Sequence, residues 1–231
     1  MSSAPEPLDP RVPLMLLLSV ATGLVDAISV LGLGKVFTAN MTGNVVFLGF
    51  AAAGAPSFEA LSYIVAIASF LLGAVVAGRL GKVHAGRPLR RWLLKAALVE
   101  AGLLWVAAIL ATGFDIATQT PGTLLYAIIA LTAATMGFRN ATIRQLKIPD
   151  LTTTVLTLTL AGLAADSHFA GGRNPNWLRR VAAIVAIFVG ALIGAGLVLR
   201  WGLALPLALA GALVLAGTIA CALHPASAQP A

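Results

Sequence analysis

Residues 38–49 read TANMTGNVVFLG, in which Thr38, Asn40, Thr42, Gly43 and Asn44 crowd polar groups at the mouth of an apolar run. That run, residues 41–54, makes only about 21 Å of helix at 1.5 Å per residue, short of the ~30 Å hydrocarbon core of a bilayer. A polar mouth on a half-length apolar helix has meaning only if the rest of the chain lies in a membrane.

The composition places it there. The chain has 231 residues, 59% of them hydrophobic and 10% charged, with mean hydropathy +0.96, far from the balance of a soluble domain. Apolar runs of spanning length cover roughly 13–34, 60–80, 92–113, 121–143, 180–200 and 202–223, with two short stretches at 41–54 and 152–165. The expected fold is all-α, a single polytopic membrane bundle of about six spans plus two half-length helices. The N-terminal MSSAPEPLDPR carries two acids before its only base, so the first run reads as a retained span rather than a signal peptide.

The charges set the expected topology. Arg79, Lys82, Arg87, Arg90 and Arg91 fill the loop between the second and third long helices, whereas GFDIATQTPGT at 113–123 has Asp115 and no base. By the positive-inside rule the first loop is cytoplasmic and the second faces out. The chain then returns to the cytoplasm near Arg139, Arg144 and Lys147, and Arg173, Arg179 and Arg180 follow the stretch 152–165. Both ends of that stretch are therefore cytoplasmic, which makes it re-entrant from inside. By the same logic 41–54 is re-entrant from outside, against the single charge of Lys35, and both termini are cytoplasmic.

An internal repeat accompanies this pattern. GLVDAISVL at 23–31 resembles GFRNATIRQ at 137–145, pairing Gly23 with Gly137, Asp26 with Asn140 and Ala27 with Ala141. Thr42 and Asn44 then pair with Thr157 and Thr159, and LGAVVAG at 72–78 pairs with VGALIGA at 189–195. Three crossings per half, about 13–113 and 121–223, place the halves in opposite orientations, the 3+3 inverted repeat of many channels and transporters. The other readings are compositional coincidence with two short surface helices, and eight spans in two parallel halves if 36–56 and 151–170 both cross.

Polar groups inside the spans are the candidate site. Asp26 lies roughly 12 Å from the outer end of the first span, where an unpaired carboxylate is costly and an acid is a functional hypothesis by default. Its bland reading is a hydrated acid, or a protonated one bonded to the Thr/Asn cluster. Glu100 is as deep; Lys95, five residues away, is poorly spaced for an intrahelical pair, so a partner must come from another helix. The Thr run TTTVLTLT at 152–159 either back-bonds to its own helix or gives a cavity a neutral polar lining. Asp26, Asn40, Thr42, Gly43, Asn44, Asn140, Thr153, Thr154 and Thr157 are the residues expected around a central solute site.

Other functions are thinly supported. The net charge of +7 and pI near 10.5 sit in short loops, where membrane orientation accounts for them without nucleic acid. His84, His168 and His224 lie in loops or the tail, no HExxH, GxSxG or P-loop occurs, and neither an enzyme nor a cofactor is expected. Ser167 beside His168 is adjacency, not catalytic geometry. Cys221 stands alone, excludes an internal disulfide and reads as an apolar packing residue. Trp92, Trp105, Trp177 and Trp201 mostly fall at span ends, like interfacial anchors. GALIG at 190–194 and the Gly73/Ala77 pair are small-residue seams for helix contact, within the chain or in a homo-oligomer.

The motif Gly23-x-x-Asp26-Ala27, then Phe37-x-x-Asn40-Met41-Thr42-Gly43-Asn44 and an apolar run, resembles the YoaK-type family of bacterial inner-membrane proteins, a domain family of unknown function. A second element, Gly137-x-x-Asn140-Ala141 followed by Thr152 to Thr159, is similar to that family's second half, though Thr157-Leu158 stands where a Thr-Gly pair is expected. The likeness covers roughly 10–223. It implies a polytopic bacterial inner-membrane protein of about six spans, and brings no substrate and no catalytic residue. From the residues themselves the expectation is a transporter or channel for a small polar or anionic solute; the alternative is a non-transporting structural or accessory membrane protein whose Thr/Asn cluster only ties helices together.

Overall fold

The computed structural model describes residues 11–84, 86, 88–146, 156–174 and 176–224. Among these residues eight α-helices follow one another: α1 Arg11–Gly32, α2 Met41–Ala52, α3 Ala60–His84, α4 Leu89–Ala111, α5 Gly122–Leu146, α6 Leu156–Ala165, α7 Trp177–Trp201 and α8 Ala204–Leu223. α1, α3, α4, α5, α7 and α8 are long and apolar enough to cross a membrane; α2 and α6 are the short pair. Thr152, Thr153, Thr154 and Lys147 lie outside the described residues.

The helices end where the backbone can turn. α7 stops at Gly202, whose φ of 71° with ψ of −159° is a conformation essentially reserved for glycine, and two residues later α8 starts back. α2 is separated from α3 by a turn through Gly54 at φ 78°. The basic residues Arg79, Lys82, Arg90, Arg91, Arg144 and Arg173 are exposed at one end of the bundle. Residues 33–59, the 112–121 loop and Gly202 lie at the other, where Gln119 Nε2 donates to Gly32 O at 3.1 Å and Tyr126 to Glu59 at 2.7 Å.

Two parallel helix pairs form the closest seams. In α1·α7, Gly23 sits against the backbone of Ile187 and Ala191, and Gly190 against Val20. In α3·α5, Gly137 sits against Phe70 and Gly73 against Ala134. A Cβ at any of these four glycines would overlap a facing carbonyl, so glycine is what lets the backbones touch. The small-residue seams of the sequence are thus used inside the chain. α4 and α8 close the bundle, with Trp105 Nε1 donating to Ala208 O at 3.2 Å.

α1 and α5 are the most buried of the spans, and α3 and α7 the most exposed. Their outward faces carry Leu71, Leu72, Val75, Phe188, Leu192 and Leu199, the side chains a lipid environment accepts. Trp177 and Trp201 are exposed at the two ends of α7, as interfacial anchors stand. Trp92 differs from that expectation: it is buried between His84 and Phe138, ring centroids 5.4 and 6.1 Å away, because α4 turns this face toward α5.

The core divides into two apolar layers with a polar seam between them. On α5, Met136 belongs to one layer and Phe138 and Ile143 to the other, with Arg139 at the boundary. Glu100 stands likewise between Ala97 and Leu104 on α4, and Thr22 between Ala21 and Leu24 on α1.

Candidate functional site

The polar mouth of the opening stretch folds as a re-entrant turn. From Gly32 the chain runs back beside α1 until Ala39 N–H donates to Asp26 Oδ1 at 3.1 Å, some 9 Å below the end of α1 at 1.5 Å per residue. α2 then carries it out again to the start of α3, so residues 33–59 leave and return at the same end of the bundle. Thr38 N–H also reaches the Asp26 carboxylate. Two successive backbone N–H groups on one carboxylate form an anion-holding nest built from the chain's own loop.

Asn44 completes the turn from the other side. It is wholly buried; Phe37 N–H donates to its Oδ1 at 2.9 Å and its Nδ2 donates to Phe37 O at 2.5 Å. Both backbone groups of Phe37 are thereby satisfied where no helix can satisfy them, as an apolar surrounding demands. The Phe37 ring stacks on Phe47, centroids 6.0 Å apart, and lies over Gly43, where a Cβ would come within 2.7 Å of the ring. Thr42, Gly43 and Asn44 lie in the first turn of α2. Asn40 is the N-cap residue but makes no side-chain cap bond, and its side chain and that of Thr42 are exposed.

The expected central site is therefore only partly assembled. Asp26, Gly43 and Asn44 converge on the 37–39 backbone; Asn40 and Thr42 face away. Thr157 is exposed on α6, a helix with no buried residue, and Asn140 is half-buried on α5. α2 packs on α3, α6 packs on α7, and the two short helices do not touch. α6 is held at the basic end by Arg180, which pairs with Asp166 at 2.7 Å, and by Asn174 donating to Leu163 O at 3.2 Å. The α2 and α6 parts of the expected site are not brought together among the described residues, because α6 lies along the flank of α7.

A second polar centre lies deeper in the bundle. Arg139 is 1% exposed and Glu100 4%, and Arg139 Nε donates to Glu100 Oε2 at 2.8 Å. Among the described residues the guanidinium makes only long contacts otherwise, Nη1 to Thr22 Oγ1 at 3.5 Å and to Met136 Sδ at 3.9 Å, and Nη2 has no partner there. A cavity of about 20 Å³ adjoins the pair, lined among others by Glu100, Arg139, Thr142 and Thr218, room for about one water. Arg139 is a correction to the sequence reading, which set it at the cytoplasmic surface; it lies about 10 Å inside the end of α5. Its position within the apolar run 121–143 was the available signal. The partner required for Glu100 does come from another helix.

Toward the opposite end, an open recess of about 370 Å³ is lined by Gly34, Ser57, Glu59, Ser62 and Gln119, with Lys35 Nζ 5.5 Å from the Phe58 ring centre. Among the described residues, the buried Tyr63 OH and Thr38 Oγ1 have no partner. Outside the spans, Asp115 is held below its ordinary carboxylate range by the Ala117 backbone N–H and the Thr118 hydroxyl. Among the described residues no three His, Cys, Asp or Glu side chains stand close enough to hold one metal ion.

Residues 14–220 match the family described as "Protein of unknown function (DUF1275)". The chain is 33% identical over 192 residues to the UPF0700 transmembrane protein YoaK of Bacillus subtilis (strain 168), covering 80% of this chain and 83% of the relative. No solved structure matches it.

Proposed function

The chain belongs to the DUF1275 family of transmembrane proteins, and we propose that it is a transporter for a small polar or anionic solute in the bacterial inner membrane, with both termini cytoplasmic. The observation that carries this is the Arg139–Glu100 pair at the centre of the bundle. Charged side chains at such depth are costly and concentrate on solute and proton pathways. A bundle whose only task is to stay folded does better with apolar residues of similar volume there.

The helix packing supports an inverted repeat. Gly23 and Gly137 are paired by sequence, as are Gly73 and Gly190; each pair makes the same contact in the opposite half, against Ile187 or Phe70, and against Ala134 or Val20. The matching of α1·α7 with α3·α5, and of α2·α3 with α6·α7, fits two halves exchanged by a two-fold axis in the membrane plane. The basic end then faces the cytoplasm.

A second reading has its own observation. Asp26 and Asn44 spend polar atoms on the backbone of 37–39, so the family motif is explained as an architectural staple, and a non-transporting accessory protein would need it equally. Alternating accessibility separates the two. With Cys221→Ala as background, Thr218→Cys beside the cavity should react with a small impermeant thiol reagent from at least one side of right-side-out and inverted vesicles. No reaction from either side supports the accessory reading.

A further inference from the structure

We propose that Arg139 is the binding group for a small monovalent anion, of the size of formate or nitrate, and that Glu100 admits this anion only when it takes up a proton. This rests on the transport reading above and names the solute class for it.

Arginine offers five N–H donors in a planar fork suited to planar oxyanions. Among the described residues one donor is engaged at hydrogen-bond distance, Nε to Glu100 at 2.8 Å; Nη1 has the two long contacts to Thr22 and Met136, and Nη2 has none. A purely structural buried arginine is expected to have its fork filled. The adjoining cavity of about 20 Å³ has room for about one water, so an anion of three or four heavy atoms is seated only with a small outward shift of the side chains around it, and anything larger would have to part α4 from α5.

The charge balance gives the coupling. Glu100 carboxylate and Arg139 guanidinium together are neutral, and an added anion would leave one net negative charge in an apolar interior. If one proton binds Glu100 as one anion binds Arg139, the site stays neutral and the carboxyl keeps a hydrogen-bonding role. The stoichiometry is one proton with one anion, moved without net charge. The groups facing Glu100 add no competing titration: α1 presents Met15, Leu18 and Thr22, α8 presents Val214 and Thr218, and α5 presents Arg139, Thr142 and Ile143. Cys221 lies one turn farther along α8, Asp26 one turn farther along α1 toward the 37–39 backbone, and Lys95 is exposed with its Nζ 2.9 Å from His84 Nε2.

The test is formate and nitrate binding to the full chain in nanodiscs, in gluconate buffer at pH 5 and pH 8, read by titration of its thermal unfolding. Formate should stabilise the wild type at pH 5 with at least tenfold weaker affinity at pH 8. Glu100→Gln, which mimics the protonated acid, should bind at both pH values alike. Arg139→Met should bind at neither, and because it leaves Glu100 alone in the core, the doubly apolar Glu100→Leu/Arg139→Met protein serves as the folded control that also does not bind. Unchanged pH dependence in Glu100→Gln, or wild-type formate affinity in the double variant, overturns the proposal. Formate binding with this pattern but no flux in proteoliposomes keeps the site and removes transport; flux that survives in the double variant keeps transport and removes the site.

Discussion

Removing the side chain of Asn44 should cost more stability than removing any other polar side chain of the TANMTGN stretch. Asn44→Leu keeps the volume but leaves Phe37 N–H and C=O without the bonds of 2.9 and 2.5 Å that Asn44 now gives them. An unsatisfied buried backbone group costs about 1–3 kcal/mol, and with Phe37 half-buried the pair should cost about 2–4 kcal/mol in total. Asn44→Asp should fall between wild type and Asn44→Leu, since it still accepts from Phe37 N–H but sets a carboxylate oxygen against Phe37 O. Thr42→Val, at an exposed position two residues away, should stay within about 0.5 kcal/mol. Reversible unfolding in mixed SDS and dodecylmaltoside micelles measures all three. Equal, small losses for Asn44→Leu and Thr42→Val would refute the staple and return Asn44 to the list of solute-binding candidates.

Further outcomes follow from the same contacts. Glu100→Leu alone should destabilise by about 3–5 kcal/mol by stranding Arg139, and adding Arg139→Met should recover much of that loss in the same unfolding assay. Gly137→Val and Gly23→Val should each lower stability markedly, because a Cβ there overlaps the facing backbone of Phe70 or Ile187, whereas Gly78→Ala, with nothing within 4 Å of its Cβ, should be neutral or slightly favourable. Single cysteines at Ser57 and Arg173 in a Cys221→Ala background should label from opposite sides of intact cells; labelling from the same side would break the six-crossing topology.

The spans were legible because length and hydropathy alone decide them: the expected segments overlap all six long helices among the described residues, with ends that differ by at most four residues. The half-length α2 was legible for the same reason, as was the polar turn before it. What the turn does was not. Asn44 and Asp26 look like solute ligands in a string of letters, since nothing in the sequence says that Phe37 and Ala39 have lost their helical partners and need replacements. Arg139 shows the converse. A basic residue seven positions from a helix end reads as a loop charge under a positive-inside count, and only the facing Glu100 on α4 reveals that it is held within the core. The glycine seams fell between these cases: their spacing announced close contact, while the partner of each glycine depended on the tertiary pairing of α1 with α7 and α3 with α5.

Transport itself is tested most directly by solute uptake into proteoliposomes holding the purified full chain. A panel of small anions, amino acids and neutral polar metabolites should include at least one that accumulates faster than in empty liposomes, with the rate lost in Glu100→Leu/Arg139→Met and retained in Thr42→Val. Uptake of no member of the panel above empty liposomes, by protein shown to be folded and inserted, would contradict the account and leave the chain as a structural membrane protein.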